Sequence, residues 1–495
     1  LLPMSLSTKI FTEYAQSLSA ILEIVDSVFN QLVHQLSLVI FFKIGGENGF
    51  PLIILWLICA ATFFTIRLGF PNIRLFKHAI DVVIGKYDDP NEEGEVSHFQ
   101  ALATAISGTV GLGNIAGVAI AIQLGGPGAS FWMTLAGFLG MTSKFVECGL
   151  ANKYRVIEAD GTVEGGPMYY IKKGFADRGM ASLGQILSYT FAILLIPASF
   201  STTLFQSNQT YAAVAHIIPE FPNWLFGIIF ATVIGFVLIG GITRIATITD
   251  KLTPAMAIIY TIACVTILIN NFSLIPGAIA TIIGSAFDLQ AVTGGIFGSI
   301  VIGIRRSCFS NEAGLGTAAI AHAPAKTNEP LREGIVSLLE PFIDTIVVCN
   351  LTAITIVSTG VYATVPEGTS GIAITAEAFR TIADWFPTLL TICVILFAIS
   401  TVISWSYYGQ QAWIYIFGRP TLIIYRSIYV FFTFLSAIVS VGAVVEFADM
   451  MVLSMAVPNL IACYLLSNEV AADLKDYLHR LNSGQMLAYD PQKFV

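Results

Sequence analysis

The chemistry-bearing residues of this chain sit where an apolar protein would least need them. The string "GTVGLGNIAG", residues 108–117, puts four glycines in ten positions inside an apolar run from 102 to 124. Glycine weakens a helix by roughly 1 kcal/mol relative to alanine and lets the backbone leave helical angles. A helix broken there exposes carbonyls and N–H groups, and each one left without a partner in lipid costs roughly several kcal/mol. A bound cation satisfies carbonyls. A carboxylate satisfies N–H groups, helped by the dipole of the half-helix. Together they point to an amino acid carried with sodium.

Polar side chains accompany the break. Thr109 offers a hydroxyl to a substrate, and Gly111 lets the backbone approach it. Asn114 either faces an ion or caps local backbone. Gln206, in "TTLFQSNQT" at 202–210, is an uncharged amide placed to bond an amino or carboxyl group or to support a neighbouring helix. "FAISTVISWSYYGQ" at 397–410 supplies Thr401 and Ser404 as neutral oxygen ligands for sodium, with Trp405 as a wall of the pocket. The backbone at Gly108 joins that ion set. Lys144 and Glu147 read as a structural pair three residues apart, Glu340 and Asp344 as support for an inner gate, and Asp449 as a water-reached outer residue. No carboxylate is expected at a membrane midpoint, which argues against a proton carrier built on a central acid. His322 has no ligand set beside it, and the seven cysteines show no metal spacing.

The elements that position these groups are membrane helices. Of the 495 residues, 55% are hydrophobic and only 11% charged, against about 25% charged in soluble domains. Apolar runs near 20 residues match the hydrocarbon thickness. Eleven crossings are read: 49–68, 98–124, 128–152, 184–213, 223–242, 252–271, 290–304, 334–360, 386–415, 426–443 and 447–467. Lys and Arg collect in alternate connections, including Arg305 and Arg306 in 305–333, and leave the others almost bare. That asymmetry places the N-terminus outside and the C-terminus in the cytoplasm. The apolar segment 274–286 is too short to cross and is expected to be re-entrant or to lie on the surface. The opening "LLPMSLSTKI" lacks a signal-peptide pattern, and Met4 is a candidate start. No basic patch invites nucleic acid; the expected partners are lipid, a small neutral amino acid and sodium as the co-transported ion, with no cofactor, and a monomer as the unit.

With the first crossing set aside, ten remain as two groups of five in opposite orientation, a transporter layout. The division is an arm and extra helix over 1–97, a first repeat over 98–271, a second over 272–467 and a tail over 468–495. The first member of the second group carries "TGGIFGSIVIG" at 293–303, so Gly294 and Gly298 are expected to mark a second break facing the first. Close helix packing through small residues is the competing account of both stretches. A dinucleotide loop is excluded, since "GTVGLG" has no adjoining strand pattern. A channel would need a continuous polar pore and a receptor a sizeable soluble domain, and neither is evident.

Longer strings identify a resemblance. "GNIAGVAIAIQLGGPGASFWM" at 113–133, "EGGPMYYI" at 164–171, "SNEAGLGTAAIAHAPAKT" at 310–327, "FIDTIVVCNLTA" at 342–353 and "VPNLIACYLLS" at 457–467 resemble the alanine or glycine:cation symporter family. The resemblance implies an all-α polytopic protein with the inverted five-plus-five repeat of the leucine transporter, preceded by one extra helix. It implies sodium-coupled uptake of alanine or glycine by alternating access. It carries a substrate role to Thr109, Gly111, Gln206, Gly294, Gly298 and Trp405, and a sodium role to the backbone near Gly108 and to Thr401 and Ser404. Proton-coupled transport of the same substrates is the nearest alternative.

Overall fold

In lipid the backbone must satisfy itself, so the apolar runs have little choice but helix. The computed structural model describes residues 27, 29–46, 49–89, 91–239, 241–288, 295–366, 369, 371–438 and 444–486, and it is mostly helical. Two short antiparallel strand pairs, Lys43–Ile44 with Phe50–Pro51 and Val156–Ile157 with Val163–Glu164, lie in the connections.

In chain order, the helices that build the core are α1 (Leu52–Arg67), α2 (His98–Thr109), α3 (Gly113–Gly125), α4 (Gly128–Tyr154), α5 (Ala181–Ile217), α6 (Asn223–Leu238), α7 (Gly241–Asn270), α8 (Ile275–Ala286), α9 (Gly295–Asn311) and α10 (Thr317–His322). They continue with α11 (Pro330–Thr359), α12 (Gly371–Arg380), α13 (Phe386–Phe417), α14 (Leu422–Ser436) and α15 (Val444–Asn482). A helix occupies at least part of each of the eleven apolar segments. Among the described residues, five helices are long and apolar enough to span a membrane, and α2 with α3 makes a sixth span if the pair, bent by 51°, is counted as one. The short segment after α7 is the partly exposed helix α8, which touches α4 where Trp132 Nε1 donates to the Ala286 carbonyl at 3.0 Å.

Hydroxyls and small side chains bring the central helices close. α5 packs along α13, α2 lies against α7 and α13, and α9 and α10 both pack on α4. Tyr429 on α14 locks this centre by donating to the Val402 carbonyl of α13 at 2.9 Å, and its hydroxyl also bonds Thr203 of α5 at 2.5 Å.

The expected connection 305–333 is largely helical. Residues 305–311 complete α9, 317–322 form α10, and α11 begins at Pro330. Arg305 and Arg306 therefore belong to a helix, not to a connection, and both pair with Asp449. Asp449 is 1% exposed, which corrects the expectation that water reaches it. A guanidinium pair holds that carboxylate inside the protein instead. The family of charges around Lys144 also differs from expectation: its ammonium bonds Glu340 at 2.8 Å, while Glu147 accepts from Asn459 at 2.7 Å.

Candidate functional site

α2 starts on a capping box, in which the Ser97 hydroxyl accepts from the Gln100 amide and the Gln100 side chain accepts from Ser97 N–H. It stops at Thr109, because Val110 turns to φ −75° and ψ 91°. α3 then opens on a π turn over Gly113–Gly117. Glycine at 111 is required by contact: a Cβ there would stand 2.5 Å from Thr401 Oγ1 and 2.9 Å from Gln206 Nε2. The freed N–H groups find side chains. Gly111 N–H donates to Asn114 Oδ1 at 2.9 Å, and Leu112 N–H donates to Gln206 Oε1 at 3.2 Å. Asn114 Nδ2 in turn donates to Asp344 Oδ1 at 2.6 Å. Asn114 is thus committed to stitching the break, the local capping role.

The second break exists but lies elsewhere than expected. α9 runs without interruption through Gly298, which is about 20 Å from the break at 1.5 Å per helical residue. Gly294 lies outside the described residues. The chain leaves helix at Glu312, with φ 57°, and passes through Gly314 and Gly316 at φ 89° and 82° before α10 begins. Such angles favour glycine and are rare for glutamate. Asn311 Oδ1 accepts from Ala313 N–H at 3.0 Å and Asn459 Nδ2 donates to the Gly314 carbonyl at 2.8 Å, so polar side chains close this break too.

Both breaks open on one small cavity of about 10 Å³, lined by Gly108, Thr109, Gly113, Thr202, Gln206, Phe309, Glu312, Thr401 and Trp405. Of the expected substrate residues, Thr109, Gln206 and Trp405 line it and Gly111 lies directly behind Gln206 and Thr401. Of the expected ion residues, Gly108 and Thr401 line it. Ser404 does not; its hydroxyl donates to the Thr104 carbonyl at 3.1 Å and to Ser107 Oγ at 3.0 Å. The hydroxyls of Thr202 and Thr401 are buried without a hydrogen-bond partner among the described residues. Among the described residues, Thr109 makes two long bonds, at 3.3 Å, to carbonyls of its own helix.

The cavity also carries a charge not expected from the sequence. Glu312 is 1% exposed, and its carboxylate accepts from Trp405 Nε1 at 2.9 Å and from the Thr317 hydroxyl. The signal was present in "NEAGLG" at 311–316, an acid beside two glycines between apolar stretches, but the two arginines before it read as the start of a loop. A second buried acid, Asp344, accepts from Ser310 at 2.9 Å, Thr345 at 2.6 Å and Asn114, tying α9, α11 and α3 together. Among the described residues, no Lys, Arg or His lies within ion-pair distance of Asp344 or Glu312. Isolated buried carboxylates are costly without a cation.

Comparison with known proteins agrees with this architecture. A family model described as the sodium:alanine symporter family matches residues 37–490. The chain is 40% identical over 431 residues to the sodium/alanine symporter AgcS of Methanococcus maripaludis, covering 86% of this chain and 94% of that protein. It is 33% identical over 446 residues to a putative sodium/proton-dependent alanine carrier protein, YrbD, of Bacillus subtilis, covering 87% and 90%. Its structure is similar to that of MhsT in complex with L-phenylalanine, with a TM-score of 0.54 at 12% identity over 76% of this chain and 90% of that one. That likeness concerns the fold alone, which is of the leucine-transporter type.

Proposed function

The chain belongs to the sodium:alanine symporter family, and from that premise we propose that it carries alanine, with glycine as the next smaller cargo, into the cell together with sodium by alternating access. It is an integral membrane protein and not an enzyme. The observation that carries the proposal is the meeting of two interrupted helices, α2–α3 and α9–α10, on one small cavity that holds a carboxylate. In the proposed pose the substrate ammonium faces Glu312. Its carboxylate faces the N-terminus of α3 at Gly113 and the unpartnered hydroxyls of Thr202 and Thr401. Phe309 and Trp405 line the cavity and would oppose a side chain larger than a methyl group.

Sodium has two candidate positions. One is the oxygen cluster of Asp344, Ser310 and Thr345, whose negative charge lacks a cationic partner among the described residues. The other is formed by the Thr401 and Ser404 hydroxyls with backbone near Gly108, as the resemblance implied. Asn114 holds the first cluster in place through its bond to Asp344. The two groups of five helices, 98–271 and 272–467, rock about the breaks, with the N-terminus outside, the C-terminus in the cytoplasm and the first helix an addition.

The test is uptake of labelled alanine into proteoliposomes with sodium and pH gradients imposed separately. Uptake driven by sodium and abolished by its replacement with choline is the expected result. Uptake that follows a pH gradient and ignores sodium would exclude sodium symport.

A further inference from the structure

α6 and α14 run antiparallel along one side of the protein and meet through two glycines. A Cβ at Gly227 would stand 2.9 Å from the Phe434 carbonyl oxygen, and one at Gly235 would stand 3.5 Å from Val430 Cγ2. Without side chains there, the seam is left hollow. A groove of about 640 Å³ follows it, from Ile228 to Ile239 on the α6 side and from Ile423 to Phe434 on α14. Its walls are apolar, and Ile239 and Phe431 are 72% and 61% exposed. At 1.5 Å per residue the groove is about 16 Å long, close to one leaflet of a hydrocarbon core about 30 Å thick.

One end of the groove is charged. Arg426 lines it one helical turn along from Ile423. Its guanidinium donates from Nε and Nη2 to Gln410 Oε1 of α13, at 3.2 and 3.1 Å. That amide pins the head group to the groove wall and brings no charge of its own. Among the described residues no Asp or Glu pairs with Arg426 or acts on it electrostatically. The neighbouring Arg419, by contrast, is neutralised by Glu164 at 2.9 Å and Asp160 at 3.5 Å. A guanidinium has five N–H donors, and among the described residues Nη1 of Arg426 has no acceptor. Ser427 stands exposed beside it on the same wall.

The aromatic side chains at this end mark headgroup depth. Trp413, near the end of α13, donates from Nε1 to the Thr421 hydroxyl at 2.9 Å, and its ring lies 5.6 Å from that of Tyr425. Trp and Tyr gather where a membrane meets water.

We propose that the groove seats an anionic phospholipid, with one acyl chain along the α6–α14 seam and the phosphate on Arg426 and Ser427. The inference does not depend on the cargo; it takes from the proposed function only the orientation, which makes this an inner-leaflet lipid. Guanidinium groups bond phosphate oxygens in pairs. A zwitterionic head would bring a second cation to the same place, so a head of net negative charge fits better. The lipid braces the frame of the cavity from outside. On the buried face of α14, Tyr425 and Tyr429 bond Ser199 and Thr203 of α5 and donate to the carbonyls of Ser406 and Val402 on α13. α5 and α13 carry Gln206, Thr401 and Trp405 to the cavity.

The experiment titrates the purified protein in detergent with phosphatidylglycerol, or with phosphatidylcholine of the same acyl chains, and reads bound lipid by native mass spectrometry. One phosphatidylglycerol is expected to bind about fivefold more tightly than phosphatidylcholine, the strength of one basic residue at an anionic lipid surface. Arg426→Gln is expected to bring the two lipids level. Thr232→Trp fills the groove from an exposed wall position and keeps the charge, and is expected to weaken both lipids at least about fivefold. Equal affinity for the two lipids in wild type overturns the proposal, as does an undiminished preference in Arg426→Gln. Unchanged binding in Thr232→Trp also overturns it, since the arginine would then act as a surface charge without a groove. So does a lipid-free dimer that Thr232→Trp dissociates, because a second copy would then occupy the seam. Should Arg426→Gln fail to fold, the wild-type comparison and Thr232→Trp decide. A protein that binds this lipid but takes up no alanine keeps the inference and loses the proposed function.

Discussion

The two broken helices meet at one cavity and both are closed by neutral amides, but the second adds a charge. The first break is held by neutral amides: Asn114 and Gln206 take up the N–H groups of Gly111 and Leu112. The second puts a charge at the break, with Glu312 at φ 57° and its carboxylate against Trp405 and Thr317. The first break therefore supplies shape and a helix N-terminus, and the second supplies the counter-charge. A zwitterionic cargo needs both, since its carboxylate suits the first and its ammonium the second.

The comparison can be broken at several points. Glu312→Gln keeps the size and removes the charge, and is expected to weaken alanine binding about 10- to 100-fold, the range of a lost charged hydrogen bond; titration calorimetry on the purified protein measures it. Unchanged affinity would take the ammonium away from the second break. Gly314→Ala adds a Cβ 2.8 Å from Leu57 Cδ2 at a backbone φ of 89° and is expected to cut uptake more than tenfold and lower the thermal midpoint. Asp344→Asn is expected to raise the sodium concentration for half-maximal uptake about tenfold with a smaller effect on alanine at saturating sodium. An unaltered sodium curve would leave Thr401 and Ser404 as the remaining candidates.

On the neutral side, Gln206→Ala leaves Leu112 N–H without its acceptor, a cost of about 1–3 kcal/mol. Uptake should fall about tenfold, with membrane insertion retained; wild-type concentration dependence and rate would remove Gln206 from the site. The smallest effect sharpens the placement of the second break. Gly298→Ala lies in unbroken α9 and is expected to keep uptake within about twofold. A loss as large as that of Gly314→Ala would return the break to 293–303.

Much of this was legible in the sequence. The apolar runs located the helices, and the glycines of 108–117 located the first break, because they interrupt a single long run. Thr109, Gln206, Thr401 and Trp405 stood out as polar or aromatic groups inside apolar segments, and the structure brings all of them to the cavity. The second break was misplaced for a definite reason. Arg305 and Arg306 read as water-facing loop residues, whereas their partner is the buried Asp449, more than a hundred residues away. The same blindness to distant partners set Lys144 beside Glu147 instead of Glu340. Spacing along a helix reveals which charges share a face, but not which charge on another helix meets them.

The central claim is that one cavity between two breaks binds alanine and sodium together. Its most direct test is equilibrium binding of labelled alanine to the purified protein across a sodium titration, with choline holding ionic strength constant. The account predicts that alanine affinity rises at least tenfold as sodium replaces choline. Equal affinity in sodium and in choline would contradict it.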